Sequence, residues 1–164
     1  MLSPEDHELF KAYYHTETKY YIDRLERYLA GKTNSFNLKA LLISYLYLCY
    51  RKMFKWAVVF FLISWIIGII QSFFLSDLIF DSFDPNTAYN IEMIIDIIIL
   101  VGIAAYTNRL YIEQSIRDID KIKAKTEDHN QRVLLATKAG GVNWVVPLSL
   151  ITLFMLLWAF LANT

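Results

Sequence analysis

The apolar positions of this chain fall into long blocks, and the charged positions fill the gaps between them. Residues 56–75 read WAVVFFLISWIIGIIQSFFL, twenty residues without a charge. As a helix that block spans about 30 Å, the thickness of a bilayer's hydrocarbon core. A second block, residues 91–106, reads IEMIIDIIILVGIAAY, and a third, residues 142–162, is uncharged throughout. The pattern predicts three membrane-spanning helices. Trp144 and Trp158 lie near the two ends of the third, as amphipathic rings prefer, and Pro147 falls in or just inside its first turn.

The remaining segments are amphipathic. Residues 1–35 open with a helix start in which Ser3 caps, Pro4 takes the first helical position, and Glu5 and Asp6 face the positive dipole end. Leu9, Phe10, Tyr13, Tyr14, Tyr21, Leu25, Tyr28 and Leu29 then recur mostly three or four apart, and Gly31 closes the helix. This is a cytoplasmic helix packing one stripe inward, or, given its tyrosines and interspersed cations, a helix lying in the headgroup layer. In residues 36–55, the uncharged stretch 40–50 is too short to span and is bounded by Lys39 and Arg51. It reads as an interfacial or partly re-entrant helix. Residues 107–141 continue the second span as a helical extension to Lys125, with Ile112, Ile116, Ile119 and Ile122 on one stripe. The N-terminal helix is the nearest cover for that stripe, and a short coiled coil between two copies is the alternative. Thr126 to Asp128 form a fresh cap, and Gly140 and Gly141 turn the chain back toward the membrane. The fold expected is all-α, an integral membrane protein with an interfacial helix and a small cytoplasmic helical layer.

Charge fixes the expected orientation. The chain has 16 basic and 16 acidic residues, but no Lys or Arg lies between residues 56 and 108 or after Lys138. Basic loops stay inside, so the N-terminus is cytoplasmic, the loop 76–90 with Asp77, Asp81 and Asp84 is outside, and the C-terminus is outside. The acidic N-terminus has no apolar region leading to a cleavage site, so no signal peptide is expected.

Candidate chemistry is sparse. Lone Cys49 excludes an internal disulfide and a CxxC zinc site, and His129 has no second histidine or cysteine near it. No catalytic grouping, metal site or cofactor site is predicted, and the bases are too diluted by acids for nucleic acid. Two polar features remain. Glu92 and Asp96 share one face of the second span, and Asp96 lies deep enough to require protonation, a partner or water. Gln71 on the first span is the long polar side chain nearest its depth. The second feature is the basic elbow Arg51, Lys52 and Lys55, which holds the inner end against anionic headgroups or forms a phosphate or partner site.

Phe36, Asn37 and Ala40, followed by Tyr50, Arg51, Lys52 and Met53, resemble the opening signature of a family of small bacterial membrane proteins catalogued as domain of unknown function 2628. Asn108 with Tyr111, and Gly140 with Gly141, extend the resemblance over residues 36 to about 145. Leu38 stands where the family has tryptophan, and Ile43, Ser44 and Tyr45 stand where it often has Gly-Pro. The resemblance implies bacterial membrane placement and shared architecture, with no activity attached. The expected function is an accessory, assembly or regulatory protein, not an enzyme, binding anionic lipid and another membrane protein or itself. A self-assembling ion or proton pathway through Asp96 is the alternative.

Overall fold

A computed structural model describes residues 2–32, 35–79 and 85–162, all helical or in turns, with no strand among them. Asp81 and Asp84 of the expected outer loop lie outside these residues. Seven α-helices follow in order: α1 (Pro4–Tyr14), α2 (Thr18–Leu29), α3 (Leu38–Tyr50), α4 (Phe54–Ile79), α5 (Pro85–Lys125), α6 (His129–Ala139) and α7 (Val145–Leu161).

The 41-residue α5 is the spine. Its C-terminal half carries the isoleucine stripe, and Ile112, Ile119 and Ile122 are buried in one cluster with Leu9, Tyr13 and Leu25 of α1 and α2. The stripe is therefore covered within the chain and is not free to pair two copies. Among the described residues α5 and α4 are the two helices long and apolar enough to cross a membrane, over Tyr89–Lys125 and Phe54–Phe73. At 17 residues α7 is shorter than either, about 25 Å by helical rise, and it is exposed along its whole length after Pro147. Both α4 and α5 run into the segment expected as a loop, since Pro85 suits the first turn of α5 and nothing stops α4 at the end of its apolar block.

The N-terminal segment is two helices, not one. Ser3 caps α1 by accepting from the Asp6 amide at 3.0 Å. The helix ends at Tyr14 because the Tyr13 carbonyl, which a continuing helix would use internally, accepts from the Gly141 amide at 2.7 Å. His15 turns at φ 52 and a 3₁₀ turn over His15–Glu17 leads into α2. Gly31 closes α2 at φ 79, with the Lys32 amide on Arg27 O at 2.8 Å and the Gly31 amide on Tyr28 O at 3.0 Å, a Schellman ending.

α3 is broken at Ser44, whose φ of 36 and ψ of −113 are non-helical. Its middle lies beside α4, where the Tyr45 hydroxyl meets Ser64 at 2.5 Å, about 15 Å along α4 from Phe54. Both of its ends return to the polar layer. The Asn37 amide donates to Ala104 O at 3.0 Å before it, and Tyr50 O accepts from the Asn143 amide at 2.7 Å after it.

Two backbone positions generate opposite expectations. At Gly140 a Cβ would overlap the Tyr13 carbonyl, where α1 and the end of α6 touch backbone to backbone. Gly140→Ala should cost about 2–3 kcal/mol, the scale of overpacking a tight contact. Ser44 adopts a conformation that favours glycine and buries a hydroxyl with no partner. Ser44→Gly should therefore stabilise by about 1 kcal/mol. Melting temperatures of the two variants in the same detergent should move in opposite directions.

Candidate functional site

The most concentrated polar feature lies where α2, the two ends of α3 and α5 converge. Glu17, the last residue of the 3₁₀ turn, pairs with both Lys39 and Arg51. In an unbroken helix those bases would sit about 18 Å apart. The break at Ser44 is what lets one carboxylate hold both.

Arg51 is fully buried, with a side chain 0% exposed. Its guanidinium carbon lies 4.8 Å from the Tyr21 ring centre, 5.4 Å from Tyr50, 5.6 Å from Tyr111 and 6.0 Å from Tyr47. Nη2 reaches Glu17, while Nε and Nη1 have no hydrogen-bond partner and rest among the rings. Ring faces replace water for those two nitrogens; a desolvated cation over an aromatic ring is worth about 2 kcal/mol. Burial pulls the guanidinium's pKa down, and the Tyr111 phenol beside it opposes that shift. It stays charged, since arginine titrates far above physiological pH.

The tyrosines are fixed by their hydroxyls. Tyr13 donates to Asp118 at 2.9 Å, Tyr14 meets Ser115 at 2.8 Å, and Tyr28 donates to Glu113 at 3.2 Å, so α1 and α2 are bonded to successive turns of α5. Tyr21 and Tyr47 share a bond of 2.7 Å between α2 and α3. Burial pushes the Tyr13, Tyr14 and Tyr21 phenols well above their ordinary value. Tyr111 rises from 10.0 to about 12 through burial, held back by the Arg51 charge.

Beside this cluster the buried amides of Asn37 and Asn108 are joined at 2.8 Å. Asn37 Oδ1 also accepts from the Ala40 amide at 3.0 Å, capping α3, and Asn108 Nδ2 donates to the Tyr20 hydroxyl at 2.8 Å. Lys52, at φ 57, donates through Nζ to the Lys138 and Gly140 carbonyls at 3.0 and 2.6 Å. It thereby satisfies the open end of α6.

These contacts place the basic elbow: Arg51 is inside the protein, and half-buried Lys52 is bonded to α6. Lys55 remains exposed, its ammonium 5.7 Å from the Trp56 ring. Sequence reasoning missed the cage because Tyr21 and Tyr111 lie about 30 and 60 positions from Arg51, although the resemblance had singled out Asn37, Arg51, Lys52, Asn108, Tyr111 and Gly140. Comparison with family models, curated proteins and solved structures returned no match.

The second polar feature is not assembled. Asp96 is exposed on the apolar half of α5 between exposed Met93, Ile94, Ile97 and Ile98, and Glu92 is half-buried. The Gln71 amide nitrogen is buried with no partner, so no Gln71–Asp96 hydrogen bond ties α4 to α5. Among the described residues no three His, Cys, Asp or Glu side chains converge as metal ligands. His129 instead faces Glu8 at 3.1 Å across the α1–α6 contact.

Removing the caged cation leaves Glu17 with Lys39 alone and empties the ring cage. Arg51→Met should destabilise the protein by about 3 kcal/mol, and adding Glu17→Gln should recover part of that loss in a double-mutant cycle of melting temperatures. Alkali tests the phenols. Their folded pKa values are raised, so the stability they carry is complete below pH 10.0 and falls as pH rises through about 12. Melting measured between those limits should fall less steeply for Tyr111→Phe than for the parent.

Proposed function

We propose that this is a membrane-embedded accessory protein, an assembly or regulatory subunit that docks on another membrane protein through Asp96. The observation that carries the reading is the exposure of that acid within an apolar stretch of α5. An acid at the centre of a spanning helix costs about 2.5–3.5 kcal/mol against lipid, and such groups ordinarily face a bundle interior or a partner. In this chain Asp96 is exposed although Glu92, Ile99 and Ile103, on the same side of α5, are partly or fully buried. A partner helix offering a base or a hydrogen-bond donor would remove the cost.

In this reading α4, the N-terminal half of α5 and α7 all span the bilayer, the shorter α7 being matched by tilt of its neighbours or local thinning. The layer of α1, α2, α6 and the end of α5 lies in the cytoplasm, on the side the basic residues favour, with both termini placed accordingly, N-terminus inside and C-terminus outside. α3 is a re-entrant element whose ends are held in that layer by Glu17. The resemblance to the small bacterial family is part of the proposal: its positions are the ones that join α3 to α5 and α6, an architectural role that fits a family without assigned chemistry.

A self-assembling ion or proton pathway is the second reading, favoured by the buried, unpartnered Gln71 amide nitrogen within the apolar α4. Affinity capture of the tagged chain in mild detergent, with the mass of the intact complex, separates the two. A stoichiometric second membrane protein, lost at least ten-fold in Asp96→Leu while Leu153→Ala retains it, is the expected result. A homo-oligomer that conducts in vesicles, with conductance altered by Asp96→Asn, would move the assignment to the pathway.

A further inference from the structure

Two cavities meet at Lys39. One, of about 840 Å³, lies between α2 and the start of α3 and is lined by Glu17, Lys19, Asp23, Arg24, Lys39 and Tyr47 among others. The other, of about 300 Å³, is an apolar groove between α3 and α7 with Ile43, Leu46, Trp144, Leu148 and Ile151 on its walls. Lys39 and Tyr47 line both. A cavity rimmed by charged side chains thus adjoins an apolar trough at Lys39 and Tyr47.

The charged rim has surplus positive charge. Glu17 is shared by Lys39 and Arg51, and Asp23 is shared by Arg24 at 2.6 Å and Arg27 at 3.2 Å. Lys19 adds a further cation to the wall. Each carboxylate therefore faces two bases, and the cluster stays positive after its internal pairs are made. Arg24 lies over the Tyr20 ring at 4.7 Å, and its Nε is buried with no hydrogen-bond partner. Lys39 is 63% exposed although paired, so its ammonium has room for a second anion. The groove carries the opposite chemistry: Trp144 packs edge-on against Tyr50 at 4.7 Å, and α7 runs away from it as an apolar wall.

We propose that these joined cavities bind one anionic glycerophospholipid, its phosphate at Lys39 and Arg24 and one acyl chain in the groove between α3 and α7. The proposal rests on the membrane reading above. It differs from a diffuse basic face because headgroup and chain are held by different elements that meet at Lys39 and Tyr47. It also gives α3 a use for its break at Ser44: the arm bearing Lys39 and the arm bearing Tyr47 and Tyr50 both line the trough, opposite α7.

The test uses the full chain with Trp56, Trp65 and Trp158 changed to Phe, leaving Trp144 as the reporter on the groove wall. The protein is reconstituted in phosphatidylcholine vesicles containing a minor fraction of either phosphatidylglycerol or phosphatidylcholine with brominated acyl chains, which quench tryptophan on contact. Quenching should favour the anionic lipid about five-fold, the factor one basic side chain near an anionic surface supplies. Lys39→Gln should abolish that preference, Lys39→Arg should keep it, and Arg109→Gln, which removes a base elsewhere on the same layer, should leave it intact. Excess glycerol 3-phosphate, which has the phosphate and no chain, should not reduce quenching.

Equal quenching by the two lipids in vesicles that carry the protein on flotation overturns the lipid site and leaves the membrane reading standing. Equal loss in Lys39→Gln and Arg109→Gln overturns it in favour of diffuse charge attraction. Relief of quenching by glycerol 3-phosphate overturns it in favour of a soluble phosphate ligand. Failure of the protein to float with vesicles overturns both readings together.

Discussion

The structure depends on one carboxylate. Among the described residues Glu17 is the only acid paired with Lys39 and Arg51, and through them it holds both ends of a helix that a strained break at Ser44 has folded back. Burying a guanidinium is costly, and the Coulombic attraction of a single partner seldom offsets that cost in full. Here Tyr21, Tyr47, Tyr50 and Tyr111 supply the rest, giving the cation ring faces on the sides that Glu17 does not reach. The four rings come from α2, α3 and α5. The cation therefore fixes three helices relative to one another, which apolar contact alone would leave free to slide.

That arrangement explains why the N-terminal layer uses tyrosine where phenylalanine would bury as much area. The inward stripe of α1 and α2 faces the part of α5 that carries Asn108, Glu113, Ser115 and Asp118, and each of these takes a phenol or lies in its network. Buried polar groups left unmatched would cost about 1–3 kcal/mol each. Tyrosine supplies the ring for the core and the hydroxyl for the spine in one side chain, and so fixes the register of α1 and α2 along α5.

The remaining join is made by backbone. Tyr13 O, the Gly141 amide, the Gly140 carbonyl and Lys52 Nζ form one knot in which α1, the end of α6 and the elbow before α4 are bonded within hydrogen-bond distance. Gly140 is needed there for its missing side chain and Gly141 for its φ of 71. The elbow's charge thus serves the fold through Lys52 and Arg51, which leaves Lys55 and the rim at Lys39 as the bases that face outward. The surfaces that the knot does not consume include the exposed acid on α5 and the trough beside α3.

Helix content, helix starts at Ser3 and Asp128, the Gly31 ending, and the covering of the isoleucine stripe by the N-terminal segment were all legible in the sequence. Each follows from local stereochemistry or from a period of 3.6, which neighbouring residues carry by themselves. The apolar blocks were legible for the same reason, although α4 and α5 overrun their expected ends because nothing local stops a helix at a change of hydropathy. The break after Tyr14, the fate of Arg51 and Lys52, and the place of Asp96 were decided by tertiary structure. A basic elbow next to an apolar block has the same composition whether its charges face lipid or a cage of rings. The choice was made by tyrosines at positions 21, 47 and 111, brought together only after α2 and α3 had packed on α5. Sequence periodicity gives the face on which Asp96 lies, and only the packed helices show that Asp96 is exposed there while Ile99 and Ile103 are not.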